Sequence, residues 1–157
     1  MLVTTNYHVN PRISRENRGM EIRPATASDR DAVIALWEAT DLTRPWNDPV
    51  ADFDRAVTGA ASTILVGEED GTPIASVMVG HDGHRGWVYY LAVSPAERGT
   101  GLGRSLMAAA ETWVAERGIP KLMLMVRSAN TAVLGFYDAL GYAVEDTAVL
   151  SRRLDGG

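Results

Sequence analysis

Apolar positions along the chain fall into separate runs whose spacing switches between the strand and helix periods. Met20-Glu-Ile-Arg-Pro24 predicts a short strand. Thr26-Ala-Ser-Asp29 then reads as a capping-box start, with Asp in place of Glu. Val33, Leu36 and Trp37 recur at helical spacing, with Ile34 beside them, and this helix ends near Thr40. The stretch from Asp41 to Pro49 contains two prolines, so it is not one regular element. Asp48-Pro49 suits an N-cap followed by a first helical turn, which predicts a second short helix over 49–59.

Next come two apolar runs, Thr63–Val66 and Ile74–Val79, joined through Asp70-Gly71, a hairpin signal. A second tight turn at His81-Asp82-Gly83-His84 leads into Trp87-Val-Tyr-Tyr-Leu-Ala-Val93. These three strands are most simply an antiparallel meander, closed by Ser94-Pro95. A glycine-rich loop precedes a helix over about 102–117, with Leu102, Leu106, Ala109 and Trp113 on one face and Gly118 and Pro120 as its stop. Leu122–Val126 reads as a strand buried on both faces, with Met123 and Met125 in the core. A last helix is expected over about 130–140, ending at Gly141, and a final strand or hairpin over 142–154. This order describes an α/β domain with a mixed sheet.

Composition narrows the picture. The chain has 157 residues, the size of one domain, and 46% hydrophobic with 22% charged residues is ordinary for a globular protein. Cysteine is absent, which excludes disulfides, Cys-ligated zinc, iron–sulfur clusters and a thiol nucleophile. A net charge of −5 argues against a general nucleic-acid binder. No apolar run approaches the ~20 residues of a membrane span, and the first residues lack the apolar stretch of a signal peptide. A cytoplasmic location is therefore expected, with no membrane partner. The charge is uneven: residues 1–19 hold three arginines and one glutamate, +2, which leaves −7 for the rest of a chain whose total is −5. With no apolar periodicity before Met20, residues 1–19 are expected to be a flexible extension and 20–157 a single domain.

The segment with the most chemistry is Val93-Ser-Pro-Ala-Glu-Arg98-Gly99-Thr100-Gly101-Leu102-Gly103-Arg104-Ser105. Three glycines in five residues, between a strand and a helix, let successive backbone N–H groups converge on an anion where the helix dipole adds positive potential. Arg98 and Arg104 add charge that a phosphate attracts. A P-loop needs Gly-Lys-Ser/Thr, and this chain has Gly103-Arg104-Ser105. The dinucleotide fingerprint G-x-G-x-x-G/A fails from either Gly99 or Gly101, and the strand at 20–24 and the three of the meander already precede the loop.

Arg98-x-x-Gly101-x-Gly103 resembles the R/Q-x-x-G-x-G/A signature of the GNAT superfamily, the acyl-CoA-dependent N-acyltransferases. Asn130-Thr-Ala-Val-Leu-Gly-Phe-Tyr137-Asp-Ala-Leu-Gly-Tyr resembles that superfamily's second core motif, with Val133 in place of its usual alanine. The likeness covers residues 20–154. A narrower likeness is to small bacterial members with an Arg-Pro-Trp-Asn-Asp-Pro segment, as at 44–49 here. The resemblance implies a GNAT-like fold, with a mixed, mostly antiparallel sheet of about six to seven strands flanked by about four helices. It implies that acetyl-CoA is the cosubstrate, with no metal. Its pyrophosphate would lie on the loop formed by Arg98, Gly99, Thr100, Gly101, Leu102, Gly103, Arg104 and Ser105. Its pantetheine arm would pair with Leu91, Ala92 and Val93 and bond Asn130. Tyr137 would protonate the departing thiolate, which agrees with a phenol that holds its proton at neutral pH.

Many members place a glutamate on the strand before the loop to deprotonate the amine, and Trp87–Val93 has no carboxylate. The base is then elsewhere, or a water chain, or the amine arrives neutral; Asp82 and His84 are the nearest candidates by sequence. Two histidines across that turn, His81 and His84, do not make a metal site. The Asp41–Trp46 segment is either a plain connector or one wall of an acceptor pocket. In the second case Trp46, with Asp41, Arg44 and Asp48 beside it, would form the wall, and its acidic groups would draw a cationic amine. The expected activity is transfer of an acetyl group to a primary amine of a small molecule, peptide or protein, by direct attack in a ternary complex. The alternative is a non-catalytic acyl-CoA sensor of the same fold. A homodimer stays open.

Overall fold

In the computed structural model, which describes residues 20–156, four strands follow one another as antiparallel neighbours: β1 (Glu21–Pro24), β2 (Ser62–Glu69), β3 (Thr72–His81) and β4 (Gly86–Val93). A short β5 (Leu122–Met123) joins β4 in parallel. Four helices accompany them: α1 (Arg30–Ala39), α2 (Pro49–Thr58), α3 (Leu102–Ala115) and α4 (Thr131–Ala139). The extension expected at 1–19 lies outside the described residues. Among the described residues no helix is long and apolar enough to cross a membrane.

Local chemistry explains the joints. Asp70 and Gly71 both take positive φ, 51° and 77°, as a two-residue turn twisted to match its strands requires. The Thr26 N–H donates to Asp29 Oδ2 at 2.8 Å, closing the reciprocal cap that precedes α1. Arg23 of β1 then grips both Asp29 oxygens, at 2.8 and 2.9 Å, and reaches Glu68 of β2 at 2.7 Å. This guanidinium holds the Asp29 carboxyl down at about 2, against the opposing effect of burial. At the start of α2, Asp48 Oδ1 accepts from the N–H groups of Val50 and Ala51 at 3.0 and 3.1 Å.

Strand alternation sends successive side chains to opposite faces. Leu65, Val77 and Val79 pack with Leu106, Met107, Ala110 and Val114 of α3 and with Tyr137 of α4. Ile64, Val66 and Ala92 pack on the other face with Val33, Leu36 and Trp37 of α1 and Phe53 and Ala56 of α2. The sheet is therefore covered on both sides, and its last strands are left to shape the site.

Three expectations are corrected. The sheet has five strands among the described residues rather than six to seven, because 142–154 forms no regular element. β5 pairs with β4 only at Gly86–Leu122 and Trp87–Met123, so the chain leaves the ladder early and gives a following strand little edge to join. For the same reason Leu122–Val126 is not buried on both faces: Met125 is 49% exposed rather than core. On α3 the fully buried stripe is Leu106, Met107, Ala110 and Val114, with Leu102, Ala109 and Trp113 at its partly buried margin.

Candidate active site

The site forms where β4 stops behaving as a regular strand. Opposite β3, Ser76 pairs with Ala92 and Met78 with Tyr89, so the single residue Val77 faces two, Tyr90 and Leu91. That is a bulge, and Tyr90 absorbs it with φ of 52°. No residue of β5 pairs with β4 beyond Trp87, so Leu91, Ala92 and Val93 keep one open edge.

The glycine-rich loop leads from that open edge into α3. Gly101 caps α3 in the left-handed region at φ 86°, a conformation that costs a side-chain-bearing residue. A Cβ on Gly103 would lie 3.2 Å from Phe136 Cζ, a tight contact that glycine avoids where α3 and α4 meet. Among the described residues the backbone N–H groups from Gly99 to Arg104 donate to no protein acceptor, and the first helical bond is Ser105 N–H to the Gly101 carbonyl at 3.0 Å. The Ser105 hydroxyl bonds back to that same carbonyl, and Thr100 donates to the Glu97 carbonyl, so both side chains brace the loop. Arg98 and Arg104 flank it with no ion pair among the described residues. A row of unpaired amides at a helix start, with an arginine on either side in the sequence, has the chemistry to accept an anion.

Asn130 caps α4, its Oδ1 accepting the Val133 N–H at 3.3 Å. Seven residues on, Tyr137 is buried with its ring edge-on to Phe136 and Tyr142, at 5.0 and 5.6 Å. Burial pushes its hydroxyl up to about 12, and that hydroxyl makes no hydrogen bond among the described residues. Tyr137 lines a cavity of about 670 Å³ together with Leu124, Val126, Ser128 and part of the C-terminal segment.

A second cavity, of about 640 Å³, opens between the α1–α2 connector, α2 and the bulge of β4. Met125 lines both cavities and so stands between them. Here the Tyr90 hydroxyl donates to Asp52 Oδ2 at 2.9 Å, while its ring stacks on Trp37 with centroids 4.2 Å apart. Trp37 is fixed in turn by donating Nε1–H to Ser76 Oγ at 3.2 Å. Burial first, and then the bond to Asp52, push the Tyr90 hydroxyl up to about 12.

The residues expected to serve as base and acceptor wall lie elsewhere, with one exception. Asp82 stands in the turn before β4, its Oδ1 accepting from the His84 and Arg85 N–H groups at 2.9 and 2.7 Å and its Oδ2 from Trp87 Nε1 at 3.1 Å. Those bonds, the backbone ones foremost, hold its carboxyl at about 2. Neither Asp82 nor His84 lines the second cavity, although the Asp82 charge adds to burial in raising the hydroxyl of Tyr89, which does line it. Asp41 and Trp46 are exposed, and neither lines the second cavity; Arg44 does. The charged residues facing that cavity are Arg44, Arg55, Arg127 and one carboxylate, Asp52. Sequence reasoning missed Asp52, Tyr90 and Arg127. Nothing in residue order joins Asp52 to Tyr90, 38 positions apart; the packing of α2 beside β4 does.

The model described as the Acetyltransferase (GNAT) family matches residues 30–142. The chain belongs to the GNAT acetyltransferase family. An acetyltransferase of Yersinia pestis and one of Pectobacterium atrosepticum are each 47% identical to it over 135 residues, covering 86% of this chain and 96% of theirs. Among solved structures it is similar in fold to the aminoglycoside N-acetyltransferase AAC(6')-Iy bound to a CoA bisubstrate analogue. That likeness has a TM-score of 0.74 at 18% identity and covers 86% of this chain and 98% of the other. This GNAT chain thus shares the architecture of an enzyme captured with a CoA bisubstrate analogue.

Proposed function

We propose that the protein moves an acetyl group from acetyl-CoA to an amine, with both substrates bound together. The observation that carries this reading is the run of unpaired amides from Gly99 to Arg104, contiguous with the open edge of Leu91–Val93. The first suits the pyrophosphate, with Arg98 and Arg104 adding charge; the second suits an extended pantetheine arm that pairs as a strand would. Asn130 spends its Oδ1 on the helix cap and keeps its amide N–H groups for a pantetheine carbonyl.

In the transfer step a neutral amine nitrogen bonds to the thioester carbon, the C–S bond breaks and the sulfur takes a proton, while the proton that the nitrogen sheds on becoming an amide passes to water and restores the donor. Tyr137 is the proposed donor, since its buried hydroxyl stays protonated at neutral pH and is engaged by no protein group among the described residues. The amine enters from the cavity of Asp52 and Tyr90. Asp82 is better read as the cap of its turn than as the base, because three donors already hold its charge.

Thermal unfolding with and without acetyl-CoA tests the binding half of this reading. At ~100 times its dissociation constant the ligand should add about 2.7 kcal/mol, a rise of roughly 5–10 °C for a domain of this size. No rise would overturn it.

A further inference from the structure

The charges in the acceptor cavity are unequally matched. Asp52 is the one carboxylate there; it is ion-paired with Arg55 and accepts the Tyr90 hydroxyl, so its charge is already met. Arg44 turns Nη1 to the carbonyls of Asp41 and Thr43 and stands 3.6 Å from the Asp41 carboxylate. Arg127, on the segment leaving β5, is exposed and accepts the Asn130 N–H at its carbonyl, but its guanidinium makes no hydrogen bond or ion pair among the described residues and lines the same cavity. Much of the remaining wall is apolar, including Leu42, Ala56, Met78 and Met125.

An unmatched guanidinium in a partly apolar wall favours a carboxylate or phosphate, which it can hold through two parallel N–H bonds. It opposes a polycation, which would bring like charge to Arg127 and Arg44. We infer that the acceptor carries an anionic group beside its amine. The anion sits on Arg127, and the amine end lies at the bulge of β4, where Asp52, its charge met by Arg55, still has a lone pair to accept an N–H and orient the nitrogen. This rests on the transfer reading above and narrows it to small amphoteric amines, set apart from the aminoglycosides of the structural neighbours.

The test is thiol release from acetyl-CoA with matched acceptors. The panel comprises L-amino acids for the carboxylate arm and O-phosphoethanolamine for the phosphate arm. Amino-acid amides and ethanolamine are the neutral controls, with spermidine and kanamycin as polycations. An anionic acceptor should exceed its neutral counterpart in kcat/KM by roughly 10–100-fold. Arg127→Ala should bring that ratio close to one through KM, and Arg127→Lys should restore part of it. Neutral or polycationic acceptors turned over as well as anionic ones, or an Arg127→Ala ratio equal to that of the parent protein, would overturn the inference. The acetyl-CoA melting shift, measured alongside, separates the failures: a shift with no anionic preference sinks the acceptor class alone, and no shift sinks both.

Discussion

The Tyr90 hydroxyl donates to Asp52 Oδ2 at 2.9 Å and so ties the bulge of β4 to the first turn of α2. Both residues line the charged cavity. The tie also holds in place a tyrosine whose left-handed backbone is strained for a residue with a side chain. Tyr90→Phe removes the bond but keeps the stacking on Trp37. The expected cost is about 1 kcal/mol in urea unfolding, with a raised KM for the acceptor and an unchanged acetyl-CoA melting shift. A raised KM for acetyl-CoA instead would place the pair in the wrong half of the site.

Tyr137→Phe separates proton donation from packing. The ring contacts to Phe136 and Tyr142 survive, and no protein hydrogen bond is lost among the described residues, so the melting temperature should barely move. Turnover should fall by roughly 10²–10⁴ if the hydroxyl protonates the leaving sulfur. Full turnover in the variant would return Tyr137 to the core.

Gly101→Ala probes the anion receptor. Its φ of 86° should make alanine cost about 1–2 kcal/mol in stability. The shifted amides should also raise the KM for acetyl-CoA and shrink the melting shift that acetyl-CoA produces. Stability lost with acetyl-CoA affinity intact would show that the loop geometry is only a turn.

Asp29 sets an acid limit. Its folded-state carboxyl lies at about 2 against an ordinary 3.8. A lowered pKa adds stability that is fully present above the ordinary value and is lost as pH falls through it toward the folded value. With the side chain 8% exposed, the contribution is about 1–2 kcal/mol, lost between roughly pH 5 and pH 2. Urea unfolding from pH 6 to pH 3 should show this slope, and Asp29→Asn should flatten it.

Elements with local causes were legible in the sequence. The Asp70-Gly71 turn, the Asp48-Pro49 entry to α2 and the reciprocal cap of Thr26 and Asp29 each depend on residues within a few positions of one another. The Gly99–Gly103 loop was legible for the same reason, since its backbone demands are written in consecutive residues. What depended on tertiary packing was not. Asp82 looked like a free base because it precedes β4, but it is engaged by the amides of its own turn and by Trp87. Asp52 and Arg127 meet at one cavity because α2 and the segment after β5 approach β4 from different directions. The final strand failed as an expectation because β5 is too short to offer an edge.

Thiol release from acetyl-CoA in the presence of an amine bears most directly on the central claim of transfer in a ternary complex. Acceptor-dependent release should appear with the parent protein and drop by roughly 10²–10⁴ in Tyr137→Phe, while both proteins keep the acetyl-CoA melting shift. Binding of acetyl-CoA with no amine-dependent release from any member of the acceptor panel would contradict the account and leave a protein that holds acetyl-CoA without using it.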